Sequence, residues 1–477
     1  MVLGVNLPES AIREPAVAGL FYPGSAAELQ AEIKRCLEAV PRKELPGRVL
    51  GLIAPHAGYV YSGPVAAHAY AALRGRAIRR VVVISPCHVE AFQGAAVFPG
   101  RAYLTPLGEI PVDGEFARRL VEAGGAEFSH RGHALGRGGR GEHALEVQLP
   151  FLQVVLGEFS LVPIVLGEQS MDTCRRLGLA LGRLRDPETL IVASSDLSHY
   201  HSDTEARRLD RKVADAVAGW DYFSLHQLVE LGETEACGSG PIVATMIAAQ
   251  RWGGDRAEIL RYATSGDVPM GRRDAVVGYL AAALLDTGGG KQVQLPALPE
   301  QERRELFSIA RAAVRAAVMG LPLPDFEATA SEILQRPAAV FVTLKEAGRL
   351  RGCIGSIVAR SPLWEAVAKA AVSAALQDPR FTPVSPAELD ALEYEISVLS
   401  PLRAIESVEE IEIGRDGLLV ELHGYRGLLL PQVAVEHDWD RLTFLRQTCV
   451  KAGLSPEAWR DSDLNLWAFS ALVLEES

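Results

Sequence analysis

The sequence predicts an α/β protein: a first domain with a mainly parallel sheet flanked by helices, then a second, smaller α+β domain. Two patterns and one break point carry this reading. Short apolar runs alternate with amphipathic helical stretches as far as residue 286, which is how strands covered by helices on both faces read. A stretch rich in glycine and proline then interrupts the chain. Beyond it, strand-like runs mix with helices, the punctuation is dense and the strand–helix alternation is weaker.

In chain order, AAELQAEIKRCLEAV reads as an amphipathic helix, and VLGLIA (49–54) and VVVIS (81–85) as buried strands. LVPIVL (161–166) and LIVAS (190–194) are further buried strands, DRKVADAVAGW a further helix, and ILRYA (259–263) a last buried strand. Strands buried on both faces are continuous apolar runs, not alternating ones. TGGGKQVQLPALPEQ, from Thr287 to Gln301, cannot continue a helix or a central strand. The first domain is therefore placed at 1–286, a flexible, protease-sensitive linker at 287–299, and the second domain at 300–477. The second domain opens on the helix ELFSIARAAVRAAVMG and continues through the strand-like runs AAVFVTL, YEISVLSP, GLLVEL and RGLLLP.

The bulk numbers narrow the function classes. A chain of 477 residues is too long for one hydrophobic core. Its formal charge of −12, from 60 acidic and 48 basic side chains, argues against a general nucleic-acid or membrane-surface binder. Arg131, Arg137 and Arg140 fall in a glycine-rich loop and read as solvated charge. The six cysteines are scattered, with no CxxC and no CxxxCxxC, which fits a reducing cytoplasm better than a disulfide framework. MVLGVNLPESAIREP has no basic region followed by an apolar stretch. The longest apolar run, Val276 to Leu285, is too short to span a bilayer. The expectation is a cytoplasmic protein that does not bind membranes.

Three predicted strands of the first domain run into polar, histidine-bearing segments. They are Pro55-His56-Ala57-Gly58-Tyr59, Pro86-Cys87-His88, and Ser195-Asp196-Leu197-Ser198-His199-Tyr200-His201. In an open α/β sheet the binding crevice lies at the carboxyl ends of the strands, so the three segments converge although they are distant in sequence. A lone histidine is more often structural; three at equivalent strand ends reverse that. Cys237 precedes Pro241, which marks a first helical turn. A helix N-terminus lowers a nearby thiol's pKa and favours a metal ligand or nucleophile. A small apolar residue packed under a tight turn fits the spacing equally. Asp196 either orients His199, supplies a fourth ligand, or caps the next helix. In EHALEVQLPF, Glu142 and Glu146 share a helix face, near His143 and Gln148, and either line the pocket or are exposed charge. Tyr59, Ser265 and Asp267 are weaker candidates for the pocket wall.

The segments REPAVAGLFYPGSAAEL, APHAGYVYSGPVAAHAY, ISPCH, EHALEVQLPFLQ, SSDLSHYH, CGSGPI and YATSGD with VVGYLA together resemble the Memo family, in the family's order, over nearly all of residues 10–285. Memo proteins are similar in fold to class III extradiol dioxygenases, which hold non-haem iron with two histidines and a carboxylate and use a further histidine as acid/base. The resemblance implies that His56 and His88 are metal ligands, that Cys237 stands in the place of the third, and that His199 is the acid/base. A thiolate is softer than a carboxylate and suits iron, zinc or copper. One transition metal is implied, Fe(II) foremost. A dioxygenase-like oxidoreductase acting on a small molecule leads the readings, beside a non-catalytic metal-binding scaffold and a zinc-type metallohydrolase.

In the second domain LRGCIG places Cys353 between two glycines, as a buried structural residue or a functional thiol. LRGCIG, DPRFTPVSPAEL, EISVLSP and GLLLPQVAVEHDW followed by FLRQTCVKAGL resemble the AMMECR1 domain over roughly 300–475. The two families recur with a radical-SAM protein in a proposed prokaryotic system, AmmeMemoRadiSam. The resemblance implies such a partner, which would carry the iron–sulfur cluster that this sequence has no motif for.

Overall fold

The computed structural model describes residues 11–133, 141–269, 271–289, 298–327 and 330–476. Arg137 and Arg140, and linker residues 290–297, lie outside the described residues. The chain divides into two compact units, residues 1–292 and 293–477.

The first unit is built on a nine-stranded sheet. Its strands are β1 (Arg48–Ala54), β2 (Arg80–Pro86), β3 (Ala95–Val97), β4 (Glu127–Phe128), β5 (Ser160–Leu166), β6 (Thr189–Ser194), β7 (Asp196–His201), β8 (Arg256–Thr264) and β9 (Val276–Asp286). The order is β7–β9–β1–β6–β2–β5–β3–β4, with β8 also paired to β9. The four central strands, β1, β6, β2 and β5, run parallel. These are four of the apolar runs read from the sequence, and all are buried. The parallel core follows the expectation, and antiparallel strands flank it: β9 runs antiparallel to β1, β7 and β8 antiparallel to β9, and β3 antiparallel to β5. ILRYA lies in β8, as a strand, but most of β8 is only half-buried. The covered strand of this flank is β9, the largely buried apolar run Val276 to Leu285 between β1 and the pair β7 and β8.

Alternate residues of the central strands face opposite layers. Leu52, Ala54, Val81, Val83, Leu190 and Val192 share one core with helices α1 (Ala26–Glu38), α2 (Tyr59–Ala71) and α3 (Leu149–Leu156). Gly51 faces the other layer, against Thr245 of α6. There α4 (Met171–Arg183) packs on α6 (Ser239–Arg251), with two helices, α5 (Asp203–Ala218) and Tyr222–Glu230, intervening in sequence.

The second unit is α+β. Helix α7 (Glu300–Val318) and α8 (Leu363–Leu376) cover a four-stranded antiparallel sheet of β10 (Ala339–Glu346), β11 (Arg349–Ser356), β12 (Leu392–Leu399) and β17 (Ala471–Glu475). A second antiparallel sheet joins β13 (Arg403–Ala404), β14 (Gly417–Leu422), β15 (Tyr425–Leu429) and β16 (Asn465–Phe469) and packs on α9 (Arg441–Lys451). Among the described residues no helix is long and apolar enough to cross a membrane.

The start of the chain's described part is tied beneath the sheet edge by buried polar groups. Arg13 pairs with Glu146, both buried. The Glu146 carboxylate also accepts from the backbone of Ala16 (2.7 Å) and Val17 (3.0 Å) and from the Tyr22 hydroxyl (2.6 Å). Beside them, His133 donates from Nε2 to Ala96 O (3.0 Å) and accepts from the Tyr103 hydroxyl (2.5 Å). Burial lowers the His133 pKa to about 3. The folded chain therefore refuses a proton that the unfolded chain takes up below the ordinary histidine value near 6.5. Stability should fall as pH drops from 6.5 towards 3, by about 1.4 kcal/mol for each pH unit in that window. Urea unfolding at pH 7 and pH 4.5 should show a smaller pH difference for His133→Gln than for the wild type; an equal difference refutes this assignment.

Candidate functional site

His56 and His88 each stand two residues beyond the end of a central parallel strand, β1 and β2, and β6 lies between those strands. The three strand-end segments therefore meet at one edge of the sheet. The third segment is not a loop: after Ser195 the chain enters β7, antiparallel to β9. Its register slips twice, between Asp196 and His199 and between His199 and His201. Tyr200, 77% exposed, takes a φ of 62° between them. Bulges of this kind re-aim side chains, and His199 is near enough to His56 and His88 for their charges to oppose one another.

Cys237 reaches the same point from the start of α6. Its Sγ lies 3.3 Å from His56 Nε2 and accepts from Asp196 N at 3.3 Å. Gly238 lies so close to β6 that a Cβ there would fall 2.2 Å from Ser194 O, so the CGSG turn requires glycine. Gln169, absent from the sequence-based candidates, clamps the turn. Its amide donates to Cys237 O and accepts from Gly240 N, each at 2.8 Å. One ligand atom each from His56, His88 and Cys237 lie within 4.8 Å of one another, close enough to hold one ion.

Glu142 and Glu146 correct the helix-face expectation. Glu142 precedes the 3-10 turn Glu146–Gln148, and both carboxylates are buried. Glu142 accepts from His88 Nδ1 (3.1 Å), from His143 N and Ala144 N (2.8 Å each), and from His88 N. With its lone pairs so engaged, Glu142 orients His88 and leaves Nε2 free for a ligand role. A second grouping, His88, Glu142 and His143, also meets the 4.8 Å spacing. His143 stacks on His88 with ring centroids 5.0 Å apart and packs on Phe21.

Asp196 does not cap the next helix, whose N-cap is Ser202. Its carboxylate accepts from His56 N (2.8 Å), and Oδ2 is 4.0 Å from His56 Nε2. His199 instead donates its backbone N–H to Glu235 at 3.1 Å. Among the wall candidates, Tyr59 is bonded to Val147 O, Ser265 to Val277 N, and Asp267 to Arg207 and Arg273, all structural bonds.

Burial governs the site's protonation. It holds His56 well below its usual range, with the neighbouring histidines adding to the effect, and lowers His143 and His199. His88 is raised: burial opposes the charged form, but the hydrogen bond and charge of Glu142 outweigh it. Burial raises Asp196 to about 7. Cys237 corrects the helix-terminus argument, because burial, with the Asp196 charge, pushes the thiol up.

In the second unit, Thr343 Oγ1 donates to Cys353 Sγ at 3.2 Å, Asp378 accepts from Cys353 N at 2.9 Å, and Arg380 bridges Asp378 and Cys353 O. Gly352 lies against Ala374 O, where a Cβ would come within 2.1 Å, so LRGCIG packs tightly on α8. All six cysteines are free.

A family model described as "Memo-like protein" matches residues 13–283, and one described as "AMMECR1" matches residues 307–474. A MEMO1 family protein of Methanopyrus kandleri is 38% identical over 282 residues, 56% of this chain and 97% of that protein. A MEMO1 family protein of Thermotoga maritima is 39% identical over 286 residues, 57% of this chain and 99% of that protein. The solved structure of an uncharacterized protein from Pyrococcus horikoshii, 40% identical, covers 38% of this chain and 94% of that chain, with a TM-score of 0.37.

Proposed function

The chain belongs to the family of Memo-like proteins, and from that membership we propose that it is a metal-dependent, dioxygenase-like oxidoreductase that acts on a small molecule alongside a radical-SAM partner. One observation carries the reading: two imidazoles and a thiol from three distant segments converge within 4.8 Å, the imidazoles just beyond the carboxyl ends of central parallel strands. His56, His88 and Cys237 would hold one transition metal, iron(II) in this reading. When bound, the ion would supply a Lewis-acidic, redox-active centre.

The chain's own residues do the rest. Glu142 fixes the His88 ring, and Asp196 fixes the loop of His56 through its backbone N–H. His199, whose pKa burial lowers, is a neutral base near pH 7 and takes the substrate's proton. The thiol in place of a carboxylate as third ligand widens the range of metals to zinc and copper. Cys353 is the second unit's candidate for a reaction that needs both halves.

Anaerobic purification without chelator should give one iron per chain, and oxygen consumption on candidate metabolites then identifies the substrate. His199→Ala should keep the metal and lose the activity. Loss of metal equal to that in His56→Ala makes His199 a ligand instead. Zinc at full occupancy with no oxygen consumption replaces the reading by a metallohydrolase or scaffold.

A further inference from the structure

Ser194 is the last residue of β6 and is fully buried. Its hydroxyl oxygen has three polar neighbours: Ala144 O at 2.6 Å, Gln148 Nε2 at 2.7 Å and His56 Nδ1 at 2.9 Å. A hydroxyl has one proton to give and two lone pairs. The Ala144 carbonyl can only accept, so it takes the proton, and the other two neighbours must donate. The amide orientation of Gln148 is fixed independently. Its Nε2 also faces Pro55 O at 3.0 Å, a second pure acceptor, while its Oε1 accepts from the Tyr70 hydroxyl. With every other position in the network assigned, His56 Nδ1 carries its hydrogen. The lone pair is then on Nε2, the atom that faces Cys237 Sγ at 3.3 Å.

We propose that Ser194, itself oriented by Gln148, is a positioning residue that locks His56 in the Nδ1–H tautomer and so presents Nε2 to a metal ion. Two backbone carbonyls, Ala144 O and Pro55 O, decide the direction of every bond in the chain Tyr70–Gln148–Ser194–His56. Reversing the His56 tautomer would leave Ser194 with one proton for two acceptors. His88 reaches the same state by a different acceptor, the Glu142 carboxylate. The inference deepens the metal reading above and depends on it only for its affinity arm.

The test has two arms on the full chain. Long-range proton–nitrogen correlation spectra of the metal-free protein, labelled at histidine nitrogen, read the tautomer directly, with His56→Gln identifying the resonances. The expected result is a protonated Nδ1 and an unprotonated Nε2; the opposite tautomer in the wild type overturns the proposal. In the second arm Ser194→Ala should populate both tautomers and weaken Zn²⁺ binding roughly 10- to 100-fold at unchanged stoichiometry. Ser194→Thr, which keeps the hydroxyl, should restore both readouts. Unchanged tautomer and unchanged Zn²⁺ affinity in Ser194→Ala overturn the positioning role. A wild type that binds no ion defeats the metal reading alone, because its spectra still decide the tautomer.

Discussion

Cys237→Ala is expected to lower affinity for a transition metal by roughly a hundredfold or more, beyond the 10- to 100-fold of an orienting residue, and His56→Ala and His88→Ala should do the same. Among the described residues, His56, His88 and Cys237 each bring one ligand atom from a different segment to this point, so in the proposed reading each is one of the ion's three protein ligands. The thiol side chain is small, and its loss leaves the Gln169 clamp and the Gly238 turn intact, since both act through backbone atoms. The variants should therefore remain folded while losing metal. Elemental analysis and competition with a chelator measure the loss, and a metal-free melting curve confirms the fold. Undiminished metal in all three variants would sink the assignment.

Glu146→Gln should destabilise the first unit by about 3–5 kcal/mol, the range for breaking a buried ion pair. The four groups around this carboxylate are all donors: Arg13, the backbone N–H groups of Ala16 and Val17, and the Tyr22 hydroxyl. A glutamine turns an NH₂ group against at least one of them and leaves the Arg13 charge buried without its partner. A calorimetric transition of the full chain should lose roughly 10 °C in the component from this unit. A loss below about 1 kcal/mol, the scale of an exposed pair, would show that water reaches the site.

The central strands were legible because a strand buried on both faces must be continuously apolar, and VLGLIA, VVVIS, LVPIVL and LIVAS have no competing pattern. ILRYA read as buried because its apolar residues are contiguous, yet β9 covers it on one edge only. The convergence of His56, His88 and Cys237 followed from strand-end logic and family resemblance. The alternatives left open for Asp196 and for the Glu142–Glu146 pair share one physical reason. Their carboxylates bond groups distant in sequence, His56 N for Asp196, Val17 N for Glu146 and His88 for Glu142, and no local period reports such partners. Gln169 and Ser194 carried no signal, and Gln148 only its nearness to Glu142 and Glu146, because an amide or hydroxyl acts here only through its orientation in the folded core.

The distance in sequence between His56 and Cys237, which end 3.3 Å apart, sets a schedule for biosynthesis. A nascent chain cannot offer the three-residue cluster to any ion until α6 has left the ribosome, because Cys237 sits at that helix's start. Residues 293–477 are still to be made at that moment, which at ~5–20 residues per second takes roughly 10–40 s. In the proposed metal reading, the finished first unit is therefore open to an ion before the second appears, for many times the folding time of a typical domain. On that reading, cells starved of the ion during that interval would release finished chains that must be loaded afterwards.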